Sequence, residues 1–116
     1  MDDDQKQAQQ LLGQAQMYQQ QLQAFMMQKE SLNMQVSELD ASSKELEKSE
    51  GEVFKISGPL LLKTTKADAK KELMEKQELA KVRLKNIEKS EKKIKDKIEE
   101  LKEQLQNSMS KGKGAG

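Results

Sequence analysis

The 116-residue chain has no cysteine, no histidine and no tryptophan, and only one proline, one tyrosine and two phenylalanines. Each shortage excludes something. Without histidine and cysteine, the commonest acid–base group, the thiol nucleophile and the usual zinc ligands are gone. Inside the chain, Gly51 and Gly58 stand alone, so no glycine-rich loop is present to cradle phosphates. Carboxylates and lysines are plentiful, but they need burial to acquire catalytic pKa values, and thin helical structures bury little. The inventory therefore argues against an enzyme and implies no cofactor or metal. No apolar run reaches the length of a membrane span. The opening Asp2, Asp3 and Asp4 are unlike a secretory leader, so the cytoplasm is the expected compartment, with which the lack of cysteine is compatible. Neither charge sign prevails: 21 basic and 20 acidic residues leave a net +1, too little to recruit nucleic acid or anionic lipid.

Apolar residues make up 34% of the chain against 35% charged, which is too little for a thick core or several domains. A narrow apolar stripe on long helices needs less. Such a stripe is present twice. Ala8, Leu11, Ala15, Tyr18, Leu22, Phe25, Lys29, Leu32, Val36, Leu39, Ser43 and Leu46 follow each other at alternating steps of three and four. Ten of these twelve are apolar, where bulk composition would supply about four. Leu73, Gln77, Ala80, Leu84, Ile87, Glu91, Ile94, Ile98, Leu101, Leu105 and Ser108 repeat the pattern, with eight of eleven apolar. The spacing predicts helices over about 5–48 and 66–109, each roughly 65 Å long at 1.5 Å per residue. Interleaved charges such as those of "EKSEKKIKDKIEELKE" mark a solvated face.

Between the blocks, Glu52 to Thr65 is rich in β-branched and bulky apolar residues and is broken at Gly58-Pro59. Two short strands, about 53–57 and 60–64, with a tight turn are expected there. Alternation puts Phe54, Ile56 and Leu61 on one face and Val53, Leu60 and Leu62 on the other. Thr65, with Asp68 three residues on, is a plausible N-cap for the second helix. The segment from Ser110 to Gly116 has no periodicity and is expected to be a mobile tail.

Folding the chain back at Pro59–Leu60 makes facing residues sum to 119 or 120. Leu46 then meets Leu73, Leu32 meets Ile87, Phe25 meets Ile94, and Leu22 meets Ile98. The polar seam residues also find each other, Lys29 facing Glu91 and Ser43 facing Gln77. A parallel homodimer would instead bury Lys29 against Lys29 and Glu91 against Glu91. Lys29 and Glu91 are thus candidates for fixing register, with snorkelling to water as the alternative. The expected fold is mainly α, a long antiparallel two-helix coiled coil with one β-hairpin at the helix connection.

The segment "VFKISGPLLLKTTKADAKKEL", Val53 to Leu73, resembles the hairpin-to-helix segment of β-type prefoldin subunits, both archaeal and the sixth subunit of the eukaryotic complex; "YQQQLQAFMMQKESL", Tyr18 to Leu32, is also similar. Gly58 and the Lys63-Thr64-Thr65 run carry the specificity, since heptads occur in any coiled coil. The single hairpin resembles the β class and not the α class. The resemblance implies a single-domain, ATP-independent chaperone subunit. It implies four such chains with two prefoldin α-type subunits in an α2β4 hexamer, whose hairpins join into a β-barrel platform. It further implies that the coiled-coil ends hold unfolded polypeptides and deliver them to a group II chaperonin.

The residues fit that division. Val53, Phe54, Ile56, Leu60, Leu61 and Leu62 are the expected oligomerisation surface, because an isolated hairpin is marginal and its edges are unpaired. At the other end, small or mismatched seam residues favour fraying. Leu11, Leu12, Met17, Leu105 and Met109 are the candidate client-binding residues there, methionine suiting many partners. Leu11 and Leu105 also fit ordinary seam packing. Met26, Met27 and Met34 fall off the seam and either line an inner wall or are tolerated surface methionines. Two other classes compete. A coiled-coil scaffold explains the heptads but not the apolar hairpin, and nucleic-acid binding by the lysine-rich second helix is opposed by its interleaved carboxylates.

Overall fold

The computed structural model describes residues 2–114, with side chains placed for residues 3–108. The order of elements is α1 (Asp2–Lys48), β1 (Val53–Ser57), β2 (Leu60–Thr64) and α2 (Lys66–Gly114). The predicted architecture of two long helices joined through one hairpin is the observed one. Two compact units are present, one of Met1–Gln28 with Ile87–Gly116, the other Lys29–Asn86.

Burial along the helices follows the three-four spacing residue by residue. Within α1, Ala8, Leu11, Ala15, Tyr18, Leu22, Phe25, Lys29, Leu32, Val36, Leu39, Ser43 and Leu46 are buried or half-buried, and every other described side chain is exposed. The predicted seam of α2, from Leu73 to Ser108, is likewise buried or half-buried throughout, joined by Ala69, Glu72 and Ser90. A two-helix pair shields one stripe of each helix and leaves the rest to water. In the unit formed by the helix ends, the Lys97 ammonium lies 5.8 Å from the Tyr18 ring centre, a cation–π contact. In the unit that carries the hairpin, the Gln77 amide donates to Asp40 at 2.8 Å, and Lys70 pairs with Glu47 at 2.8 Å. Gln77, placed opposite Ser43 by the summing rule, thus bonds a residue one turn nearer the N-terminus.

The junctions have identifiable causes. Acidic residues open α1 and Lys48 closes it, both matching the helix dipole, so the helix starts at Asp2 rather than near residue 5. After its last turn, Lys66 donates to the carbonyls of Glu47 (2.9 Å) and Ser49 (3.1 Å), groups left without intrahelical partners. The hairpin turns at Gly58, whose φ of 58° suits the first central position of a two-residue turn. Pro59 follows, where its missing N–H costs no ladder bond. Thr65 caps α2 as expected: its Oγ1 accepts the Asp68 N–H at 3.1 Å.

The end of α2 differs as well. Helix α2 runs on to Gly114, through residues assigned from the sequence to a tail beginning at Ser110. Glycine lowers helix propensity by about 1 kcal/mol relative to alanine but keeps its N–H, so it weakens a helix without ending it.

Candidate functional site

The hairpin comes first, because its sequence is the least compatible with solvent. Pairing runs Val53↔Thr64, Phe54↔Lys63, Lys55↔Leu62, Ile56↔Leu61 and Ser57↔Leu60. Paired residues share a face and neighbours alternate. Phe54, Ile56 and Leu61 therefore occupy one face, and Val53, Leu60 and Leu62 the other, as the alternation predicted. On the second face, Lys55 reaches Glu72 of α2 at 3.7 Å. Even so, Leu60 and Leu62 remain exposed, and on the first face Phe54, Leu61 and above all Ile56, 80% accessible, project into solvent. Val53 is half-buried. The sheet has two strands, so each has one unpaired edge. Beneath it lies a groove of about 750 Å³, lined by Leu46, Val53, Phe54, Ile56, Ala69 and Leu73 among others.

The second candidate set lies in the unit of the helix ends. Leu12 and Met17 are exposed. Leu11 is buried and Leu105 half-buried, so with the helices paired these two serve as seam. Met109 has its side chain outside the described residues. Met26 and Met27 are exposed as well, as is Met34 in the other unit. Asp4, Gln7, Gln104, Asn107 and Ser108 line a shallow polar recess near the helix ends. Of the two register candidates, Lys29 is half-buried in its unit and Glu91 is buried to 6% in the other, both at assigned seam positions.

Sequence reasoning missed Met74, Leu79 and Val82, three exposed apolar residues on α2. Their signal was available, since they are apolar residues lying outside the three-four spacing. It also missed the Lys66 bridge to the end of α1, which depends on a fold-back geometry that no local pattern encodes. Among the described residues, no group of acidic side chains is arranged to hold a metal ion, and no helix is long and apolar enough to cross a membrane.

The exposed hairpin between heptad helices has a counterpart in known proteins. The family model described as prefoldin subunit matches residues 9–112. The chain belongs to the prefoldin subunit family. Prefoldin subunits are a family of non-enzymatic chaperone components. Among individual relatives, the chain is 44% identical over 55 residues to prefoldin subunit beta of Thermococcus onnurineus, covering 47% of each chain. It is 42% identical over 58 residues to prefoldin subunit beta of Methanococcus maripaludis, covering 50% of this chain and 51% of that one. The chain thus spans about half the length of these archaeal relatives in sequence alignment. In structure the likeness extends further. The crystal structure of the prefoldin beta subunit from Thermococcus strain KS-1 matches with a TM-score of 0.82 at 40% identity, covering 88% of this chain and 91% of that chain. The prefoldin beta2 subunit of the same strain shares the fold, with a TM-score of 0.67 at 24% identity over 74% of this chain and 94% of that one.

Proposed function

We propose that this chain is a β-type prefoldin subunit acting as an ATP-independent holdase in the cytoplasm. Its hairpins join those of other β-type and of α-type subunits in an α2β4 hexamer, and its helix ends hold unfolded polypeptides for delivery to a group II chaperonin. The observation that carries the assembly half is the hairpin: both faces present large apolar side chains and both edges lack partners. Apolar surface exposed on a two-stranded sheet is stabilised by further strands and further apolar faces. Val53, Phe54, Ile56, Leu60, Leu61 and Leu62 are the residues proposed to be covered on assembly. A coiled-coil scaffold has no use for them.

The holding half rests on Leu12 and Met17, which are exposed near the helix ends, with Leu11 and Leu105 available once the end of the seam opens. Met109 completes the proposed set from the sequence alone. Lys29 and Glu91 are proposed to select register from their respective seam positions. The test is an aggregation assay with a chemically denatured model protein, using the chain assembled with an α-type partner. The assembled complex is expected to suppress light scattering without nucleotide. A version lacking residues 1–12 is expected to assemble and yet fail to suppress it. Holding by the truncated complex would remove the helix ends from the mechanism, and failure of the intact chain to assemble would remove the hairpin's role.

A further inference from the structure

The two helices of the end unit present opposite kinds of surface. From Gln7 to Gln28, α1 carries no charged residue. Its exposed side chains there are ten glutamines together with Leu12, Ala24, Met17, Met26 and Met27, and Gly13 completes the surface. From Glu88 to Glu103, α2 is the reverse: each exposed residue is charged, and lysines and carboxylates alternate closely. Seam burial is the same in kind on both helices, so pairing does not require this contrast. A soluble coiled coil has no need to keep a stretch of over twenty residues on one helix free of charge; charged residues would be more soluble and equally good helix formers.

We propose that α1 between Gln7 and Gln28, and not the charged stretch of α2 from Glu88 to Glu103, is the main surface that grips the unfolded polypeptide, and that it selects segments of low charge in an extended, unpaired conformation. This inference rests on the holdase reading above and says which side of the coiled coil performs it. Three properties choose the occupant. Glutamine amides both donate and accept, which matches the unpaired N–H and C=O groups of an unfolded chain and calls for no particular sequence. Methionine side chains adapt to varied apolar shapes. The exposed apolar residues Leu12, Met17, Ala24, Met26 and Met27 are spread over three different heptad positions with glutamines between them, so a second copy of the helix finds no continuous stripe of alternating three-four spacing to pack against. A partner without fixed shape can follow such a scattered set. Docking the same segment on α2 between Glu88 and Glu103 would strip water from ammonium and carboxylate groups with no partner charge supplied, which is costly. That charged helix instead remains hydrated and keeps the loaded complex soluble.

The experiment uses the full chain assembled with its α-type partner and a denatured model protein as client. A photo-crosslinking residue is placed at Gln20 or Met27 on α1, and at Lys89 or Lys93 on α2. All four positions are exposed, so the substitutions leave the seam alone. Client adducts are expected at Gln20 and Met27 and to be scarce at Lys89 and Lys93. In parallel, Met17→Lys with Met27→Lys is expected to weaken capture about tenfold, a loss of about 1.4 kcal/mol, with unchanged helicity by circular dichroism. Lys89→Gln with Lys93→Gln is expected to leave capture unaltered. Raising salt from about 0.05 M to about 0.5 M should not weaken capture, since α1 between Gln7 and Gln28 has no charge to be screened. Adducts chiefly from α2, or capture that falls with salt, would overturn the assignment while leaving the holdase reading intact. Adducts joining two copies of this chain at Met27 would make the face a self-association surface and overturn it as well. Absence of any holding by the intact complex would sink both readings together.

Discussion

Replacing Ile56 with lysine separates what the hairpin does for the single chain from what it does for an assembly. Ile56 is 80% accessible, so its side chain contributes little to the fold of one chain. Full burial of an isoleucine is worth about 1.5 to 3 kcal/mol. Four-fifths of that, about 1 to 2.5 kcal/mol, is still to be gained when a neighbouring hairpin covers it. At 1.4 kcal/mol per factor of ten, its loss weakens each contact by about five- to sixtyfold, before the added cost of burying an ammonium group. The isolated variant should show the helicity and melting temperature of the parent, within error, by circular dichroism. Mixed with an α-type partner, it should fail to form the complex that the parent forms in native mass spectrometry or sedimentation. Phe54→Lys, on the same face, should behave alike. An Ile56→Lys chain that assembles normally would refute the reasoning, because this most exposed apolar residue of the hairpin would then be exposed in the assembly too. A variant that unfolds alone would refute it differently, by showing that the side chain already supports the single chain.

Three further outcomes test the same physical account. Ile98, 7% accessible in the α2 seam, should cost about 2 to 4 kcal/mol on replacement by alanine, seen as a lower midpoint of thermal or urea unfolding. Thr65→Ala removes the acceptor for the Asp68 N–H and should cost about 1 kcal/mol, which Thr65→Ser should largely restore in the same melts. The Lys70 hydrogen bond and charge hold the Glu47 carboxyl below the usual carboxylate range. Its depressed folded pKa means that the pair stabilises the fold at neutral pH and that this contribution fades as pH falls through the acidic range. Glu47→Gln should therefore lower the melting temperature slightly at neutral pH, with no difference from the parent in strong acid and a smaller one in high salt.

Most of the fold was legible because a two-helix pair writes its geometry into spacing. Ala80 is 2% accessible and Leu46 is 9%, yet neither is a remarkable residue by composition; only their places in the three-four series mark them. The hairpin was legible from Gly58-Pro59 and from alternation, since a strand places neighbours on opposite faces whatever the surroundings. The end of α2 was not, because glycine propensity is a weak local term and a long helix extends at small cost per residue. The start of α1 was read short for a related reason: the acidic residues there stabilise the helix dipole, but composition alone does not say how far a helix reaches. The exposure of the residues proposed for client binding was the least legible. Leu11 and Leu12 are adjacent and identical in type, yet one is buried and the other exposed, and only the seam's phase distinguishes them.

That phase also explains how so few apolar residues could serve the two proposed roles. A coiled coil spends its apolar residues along a stripe and leaves the remaining helix surface free of packing constraints. On α2 from Glu88 to Glu103 that freedom holds charges, which are costly to strip of water against an unfolded chain. On α1 between Gln7 and Gln28 it holds amides and thioethers, which can be dehydrated at much lower cost. The apolar residues of the hairpin follow the opposite logic: they are concentrated within two five-residue strands, too few to bury one another, and so demand neighbours of fixed geometry. Dispersed, adaptable residues suit a partner without structure, and dense, alternating ones suit a partner with a strand to offer. The distribution of apolar residues along this chain, more than their number, therefore separates the surface proposed for clients from the surface proposed for subunits.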